Sequence, residues 1–336
     1  MPFAHRALLT LVPTAGDRRA AIRLTISVGV PALALLLAGW PNLIIYAAFG
    51  AFTGMYGRDE PHQLRVIHQT QAAAMLVGGA TMGIGLAALA VRPWELIATE
   101  AVLAAAGSVI ADRNRLKPAG PFFAIFALGA CASVPPAGPW WCAVLICLGS
   151  AGIAILVGFA GWLADRSWQP RATRALQSAS SRGVRIHALR YLLAVGAAGC
   201  LGQLMGIGHP YWAMAAAAVP LAAETLRGRI GRGIHRVVGT LAGVGVTALI
   251  LLPHPSPVAV VLIVIALQFP TELFMTRHYG LALSFFTPMI LLMTLLANPA
   301  SSASLIPDRA LETFIGAVAG VAVALCIREP RQPRVP

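Results

Sequence analysis

Pro139 to Leu163 read PWWCAVLICLGSAGIAILVGFAGWL, 25 residues without a charged side chain. A helix needs about 20 apolar residues to cross a bilayer, within a range of about 17–25. This run meets that length and carries two tryptophans at one rim, where aromatic rings settle at a membrane surface. Comparable runs fill most of the chain. They cover 24–39, 42–57, 68–90, 94–111 and 121–135 before it, and 188–207, 210–224, 235–252, 256–275, 281–297 and 309–327 after it. The expected fold class is all-α, a polytopic membrane protein of about twelve transmembrane helices. Several runs are short for a full crossing, so the sequence allows ten to twelve, with some pairs broken or re-entrant.

Composition points the same way. Hydrophobic residues make up 58% of the 336 and charged residues 11%, against roughly 45–50% and about 25% in soluble domains. A water-soluble enzyme is excluded, and so is a disordered chain, which would be poor in apolar residues. The net charge of +13 would suggest nucleic acid in a soluble protein. Here the cations are first a topological matter, because cytoplasmic loops collect Lys and Arg.

A cytoplasmic N-terminus gives a test of the twelve-run alternation. It puts Arg6, Arg18, Arg19 and Arg23 inside, then Arg58 and Arg65, then Arg113, Arg115 and Lys117. Arg166 to Arg190, Arg227 to Arg236, Arg277 and Arg328 to Arg334 follow on the same side, which makes 23 of the 25 cations. Arg92 and Arg309 are the exceptions. Both termini are expected inside, and the charge needs no nucleic acid to account for it.

Residues 165–187, DRSWQPRATRALQSASSRGVRIH, are the longest polar stretch. They read as a cytoplasmic linker between two membrane units, 1–164 and 188–336, each with six runs. The units look like copies. Arg23 and Arg190 lie 167 positions apart, Pro41 and Pro210 169, and Arg65 and Arg232 167. An even number of crossings makes the repeats parallel, related by an axis along the membrane normal. Two parallel six-helix repeats predict a pathway along that axis.

Polar residues inside apolar runs are the candidates for function. Arg236 and Thr240 adjoin Gly239-x-x-x-Gly243, a small-residue seam that lets helices approach closely. Pro288 removes an amide and frees the carbonyl of Ser284; with Thr287 it forms a polar notch, for packing or for substrate. Glu272, Arg277 and His278 cluster at a cytoplasmic end, where a guanidinium suits an arriving carboxylate through paired hydrogen bonds. Topological anchoring competes with that role. Glu100 and Glu312 are acids within or beside spanning runs, where an ionised carboxylate costs on the order of 3 kcal/mol. They are the proton-coupling candidates, unless Glu100 lies near enough to the rim to reach water. Trp94, Trp140, Trp141, Tyr211 and Trp212 fall at outer rims, as an aromatic belt.

There is no Walker motif, no nucleophile elbow and no His-Glu-x-x-His zinc pattern. The five cysteines lie in apolar runs without metal spacing. No enzyme activity, catalytic residue, cofactor or metal is expected.

Three stretches of the second half carry a family resemblance. These are His209-Pro210-Tyr211-Trp212-Ala213, RGIHRVVGTLAGV with Arg236, Gly239, Thr240 and Gly243, and RHYGLALSFFTPMILLM with RALETFIGAVAG, which hold Tyr279, Thr287, Pro288, Thr313 and Gly316. Together they resemble the fusaric acid resistance (FUSC) family, which includes bacterial aromatic acid exporters. Beside larger members with long cytoplasmic domains, this chain is expected to be a short form. The resemblance implies a secondary transporter in the bacterial plasma membrane. It would export small organic acids, aromatic ones foremost, on an ion gradient. Arg236, Thr240, Glu272, Arg277, Tyr279, Thr287 and Pro288 would line the substrate path. The plant aluminium-activated malate transporters look like distant relatives, which keeps a passive organic-anion channel open. A non-transporting subunit of a larger complex is the third reading, and a second copy or partner chain stays open with it.

Overall fold

The computed structural model describes residues 12–135, 138–164, 181–299 and 302–327. Within them run twelve α-helices: α1 (Ala15–Leu37), α2 (Ile44–Ala51), α3 (His62–Ala88), α4 (Pro93–Asn114), α5 (Phe122–Ala132), α6 (Trp140–Ala164), α7 (Ser181–Leu204), α8 (Pro210–Leu221), α9 (Leu226–Leu251), α10 (Pro257–Met275), α11 (Tyr279–Ala297) and α12 (Ser302–Cys326). The described residues contain no strand. The last seven residues of the expected linker, 181–187, are the opening turns of α7. Its remainder, with Arg166, Arg171 and Arg174, lies outside the described residues, as do Arg6, Arg328, Arg331 and Arg334.

Helix ends follow local chemistry. Thr14 and Asp17 form a reciprocal cap on α1, the Asp17 amide donating to Thr14 Oγ1 at 3.3 Å and the Thr14 amide to Asp17 Oδ2 at 2.9 Å. Ser256 caps α10 ahead of Pro257, whose missing amide costs nothing at a first turn. Pro288 does not interrupt α11, which runs unbroken from Tyr279 to Ala297.

Nine of the helices are long and apolar enough to cross a membrane: α1, α3, α4, α6, α7, α9, α10, α11 and, over Pro307–Cys326, α12. The runs at 42–57, 121–135 and 210–224 fold instead as α2, α5 and α8, of 8, 11 and 12 residues. At 1.5 Å per residue, eight residues reach only about 12 Å. Proline and glycine set the limits: Pro41 and Gly57 flank the α2 region, Gly120 at φ +81° and Pro121 precede α5, and Pro210 and Pro220 bracket α8.

These short helices form the centre of the bundle. Every residue of α2 and of α8 is buried. α6 covers α2, α3 covers α5 and α12 covers α8, while α9 covers the most enclosed long helix, α11. Small residues make the contact close. A Cβ on Gly316 would lie 2.1 Å from the carbonyl oxygen of Ala213, and one on Gly239 2.4 Å from that of Gly280. Leu156, Leu163, Leu249 and Leu252 point outward, onto the surface that lipid tails would meet. Where α2, α5, α8 and α11 meet, aromatic rings fill the space. Phe126 stands 5.4 Å from Phe49 and 6.4 Å from both Phe286 and Tyr211, and Phe52 5.8 Å from Phe123.

Candidate functional site

Two of the expected contact residues belong to an ion-pair network at the arginine-rich end. Arg58 reaches Asp17 at 2.8 Å and Glu272 at 2.6 Å, and Arg277 donates through Nε to Asp17 at 2.9 Å. Arg58 also donates to the backbone carbonyl of Glu272. The network ties α1, the α2–α3 connection and the end of α10. Glu272 and Arg277 therefore already have protein partners.

The remaining residues from α9 and α11 assemble elsewhere, with two arginines not expected among them, Arg232 and Arg309. Arg232, Arg236 and Thr240 follow one another at successive turns of α9. The Arg232 guanidinium lies 6.0 Å from the Tyr279 ring centre, and that of Arg236 5.2 Å from Phe122. From α12, Arg309 lies 4.7 Å from Trp212 and 5.9 Å from Phe126. Phe122 stacks on Phe126 at 5.6 Å, which joins the last two steps. The result is a ladder of guanidiniums over aromatic faces. It begins with an exposed Arg232 and continues through Arg236 and Arg309, both 0% exposed.

None of the nitrogens of the Arg236 and Arg309 guanidiniums has a hydrogen-bond partner. Arg65 is buried too, but donates to the carbonyls of Gly57, Gly158 and Glu60 at 3.0, 3.0 and 2.6 Å. An unpaired buried ion costs several kcal/mol even after relaxation, and a desolvated cation–π contact returns about 2 kcal/mol. The ladder arginines are therefore under-compensated. Unpartnered buried groups of this kind call for an explanation such as a bound ion. The hydroxyls of Thr240 and Thr287 are likewise buried and unpaired; Thr287 sits against the Gly243 notch of α9.

Acids lie toward the other end. Glu312 follows Arg309 by one turn of α12 and is fully buried beside the His209 backbone. Glu100, seven residues into α4, is also fully buried and neither carboxylate oxygen has a partner, so it does not reach water. Tyr211 lies within electrostatic reach of Glu100, Arg309 and Glu312. Gly129 makes that meeting possible, since a Cβ there would lie 2.4 Å from Tyr211 Cβ and 3.0 Å from Glu100 Oε2. At the rim, His209 stacks on Trp212 at 5.1 Å and stands 3.8 Å from Asp308. Burial holds its imidazole below the usual range, with Asp308 pulling the other way. Beside it opens a cavity of about 350 Å³ whose lining includes Leu96, Ser133, Gln203, Gly208, Pro210 and Tyr211.

Tyr211 and Trp212 are thus not part of a belt: they are 1% and 0% exposed, because α12 encloses α8. Trp94, Trp140 and Trp141 are exposed, as a belt requires. Arg236 lies ten residues inside α9 rather than in a loop. Sequence reading missed Arg232, Arg309, Phe122, Phe126 and Trp212 as site residues. The trace of Arg309 in the sequence is its exception to the charge alternation.

A bundle of long apolar helices around short buried ones, with charges confined to its interior and ends, defines a multi-pass membrane protein. Residues 197–323 match the family described as fusaric acid resistance protein-like, a stretch that holds Tyr211, Trp212, Arg236, Arg309 and Glu312. The chain is also 32% identical over 111 residues to the uncharacterized membrane protein YvaC of Bacillus subtilis (strain 168), an alignment covering 33% of this chain and 18% of that relative. Both likenesses are partial: the family match spans 127 of the 336 residues, all in the second half of the chain. No solved structure matches it.

Proposed function

We propose that this chain is a secondary transporter that exports small organic acids, aromatic carboxylates foremost, across the bacterial plasma membrane with both termini inside. The observation that carries this is the pair Arg236 and Arg309, buried, without hydrogen-bond partners and set over Phe122, Phe126 and Trp212. A carboxylate supplies the acceptors these guanidiniums lack. A flat ring suits the aromatic walls. Arg232 and Tyr279 would receive the anion at the cytoplasmic end, and an ion gradient would drive the cycle, with Glu100 the candidate for proton coupling.

Two parallel six-helix repeats fit this reading. α3 packs on α5 as α9 packs on α11, and α4 packs on α7 as α10 packs on α1. The ring-filled meeting point of α2, α5, α8 and α11 moves the proposed path off the central axis and onto the ladder. It also favours a carrier, which rearranges to pass its substrate, over a permanently open channel.

The test is efflux of radiolabelled benzoate from proteoliposomes holding the full chain. Arg236→Met and Arg309→Met should each abolish saturable efflux while the protein stays folded. Efflux that survives both substitutions refutes the reading. A steady benzoate current through the reconstituted protein would favour a channel.

A further inference from the structure

Arg309 and Glu312 are neighbours one turn apart on α12, both 0% exposed, yet they do not bond to each other. Their closest neighbours differ. The guanidinium lies over Phe126 and Trp212 and within electrostatic reach of Arg236, on the cationic side. The carboxylate lies against the His209 backbone and near Asp308, and the guanidinium is itself within electrostatic reach of His209 and of Glu312. Residues at i and i+3 on a helix are close enough for a rotamer change to bring them into contact. The last cation of the ladder and a buried anion that does not bond to it therefore stand side by side at this pair.

Resting on the transport reading above, we infer that Glu312 is the release residue: its carboxylate takes over the Arg309 guanidinium as the substrate carboxylate leaves for the rim cavity. No bond is made or broken in this exchange. One anion replaces another at the same cation, and the substrate then faces Glu312, Asp308 and Glu100 with no cation ahead of it in the ladder. The exchange also explains how a carrier can hold an anion at a buried guanidinium and still let it go. Without a resident competitor, desolvated charge pairing would keep the product bound. The bland alternative is that Glu312 only caps the start of α8 through the His209 amide.

Opposed effects on KM and kcat separate the two roles. Benzoate efflux from proteoliposomes is followed for the full chain, Glu312→Gln, Glu312→Asp and Glu100→Gln, with thermal midpoints recorded for each. For a release residue, Glu312→Gln lowers KM and kcat together, each by about tenfold, because binding outlasts translocation. Glu312→Asp keeps the charge and returns both toward the parent values. Glu100→Gln does not produce the paired decrease. A Glu312→Gln protein that is destabilised but has unchanged or raised KM overturns the inference in favour of capping. If Arg309→Met abolishes efflux while Glu312→Gln leaves both constants unchanged, the release role falls and the transport reading stands. Absence of benzoate efflux from the parent protein removes both.

Discussion

Replacing Arg309 by Met should stabilise the protein, whereas replacing Arg65 by Met should destabilise it. Both arginines are buried, at 0% and 7% exposure, and a count of charges in apolar runs treats them alike. Their surroundings differ. Arg65 donates to three backbone carbonyls, of Gly57, Gly158 and Glu60. Hydrogen bonds from a charged group contribute about 1.5–3 kcal/mol each, and stripping the donor leaves buried acceptors unpaired. Allowing for the desolvation that Met avoids, Arg65→Met should cost about 3–5 kcal/mol.

Arg309 makes no such bond. Its compensation is its position over Trp212 at 4.7 Å and Phe126 at 5.9 Å, of about 2 kcal/mol, together with the field of the Glu312 carboxylate one turn on, which makes no hydrogen bond to it. Replacing a whole buried ion pair by apolar side chains of similar volume is often neutral or gains about 1–4 kcal/mol, and a guanidinium without a hydrogen-bond partner gives up less than a bonded pair does. Met has no charge to set against the two rings, so the net gain should be about 1–2 kcal/mol. Thermal unfolding of the purified protein in detergent, without added anions, reads both variants. The midpoint should rise by a few degrees for Arg309→Met and fall by more for Arg65→Met. A midpoint for Arg309→Met that drops as far as for Arg65→Met refutes the reasoning, since it would mean that the guanidinium is satisfied within the protein.

Further expectations concern the scaffold. Asp17→Asn removes the carboxylate shared by Arg58 and Arg277, and a midpoint drop equivalent to about 3 kcal/mol is expected; the double variant Asp17→Asn/Arg277→Gln should lose less than the sum of the singles. Gly316→Leu drives a side chain into the carbonyl of Ala213 and should cost more than about 2 kcal/mol or prevent accumulation of folded protein, read by size-exclusion chromatography. His209, outside the spanning helices, is held below its usual titration range by burial. The folded state thus binds fewer protons than the unfolded state. Stability should be constant above about pH 6.5 and decline as pH falls through the lowered value, and comparing parent and His209→Asn midpoints between about pH 8 and pH 5 isolates that share.

Much of the helical content was legible because length and lack of charge are local properties. The run at 139–163 becomes α6 nearly residue for residue. Burial was less legible. Tyr211 and Trp212 follow a His-Pro pair at the start of an apolar run, as rim aromatics do, and only the enclosure of α8 by α12 puts them in the core. The ion-pair network was half visible. Glu272 and Arg277 are close in sequence, but their partners Arg58 and Asp17 lie 214 and 260 positions away, a distance no local pattern spans. The ladder arginines are hidden by a rule that works on average. Charge alternation assigns cations to loops, so it makes Arg236 an anchor and leaves Arg309 visible only as a count that fails to fit.

Among the described residues the ladder of guanidiniums over rings occurs once, in α9 and α12, and a proposed repeat of the two halves suggests why. Arg65 and Arg229 each send Nε to a carbonyl just ahead of their own helix, Gly57 at 3.0 Å and Ala223 at 2.9 Å. That shared geometry aligns α3 with α9 at an offset of 164, rather than the 167 suggested by Arg232. At this offset the counterpart of Arg236 is Ala72, and through Pro41 and Pro210 those of Tyr211 and Trp212 are Asn42 and Leu43. The first half would thus keep the helix geometry and lack the charges. A buried unpaired arginine is costly, and two copies of the ladder would double that cost without adding a second route through a ring-filled centre. On this reading the first half works as the wall of the site. It contributes Phe122, Phe126 and Glu100 across the seam, so the ladder needs both halves even though its cations come from one.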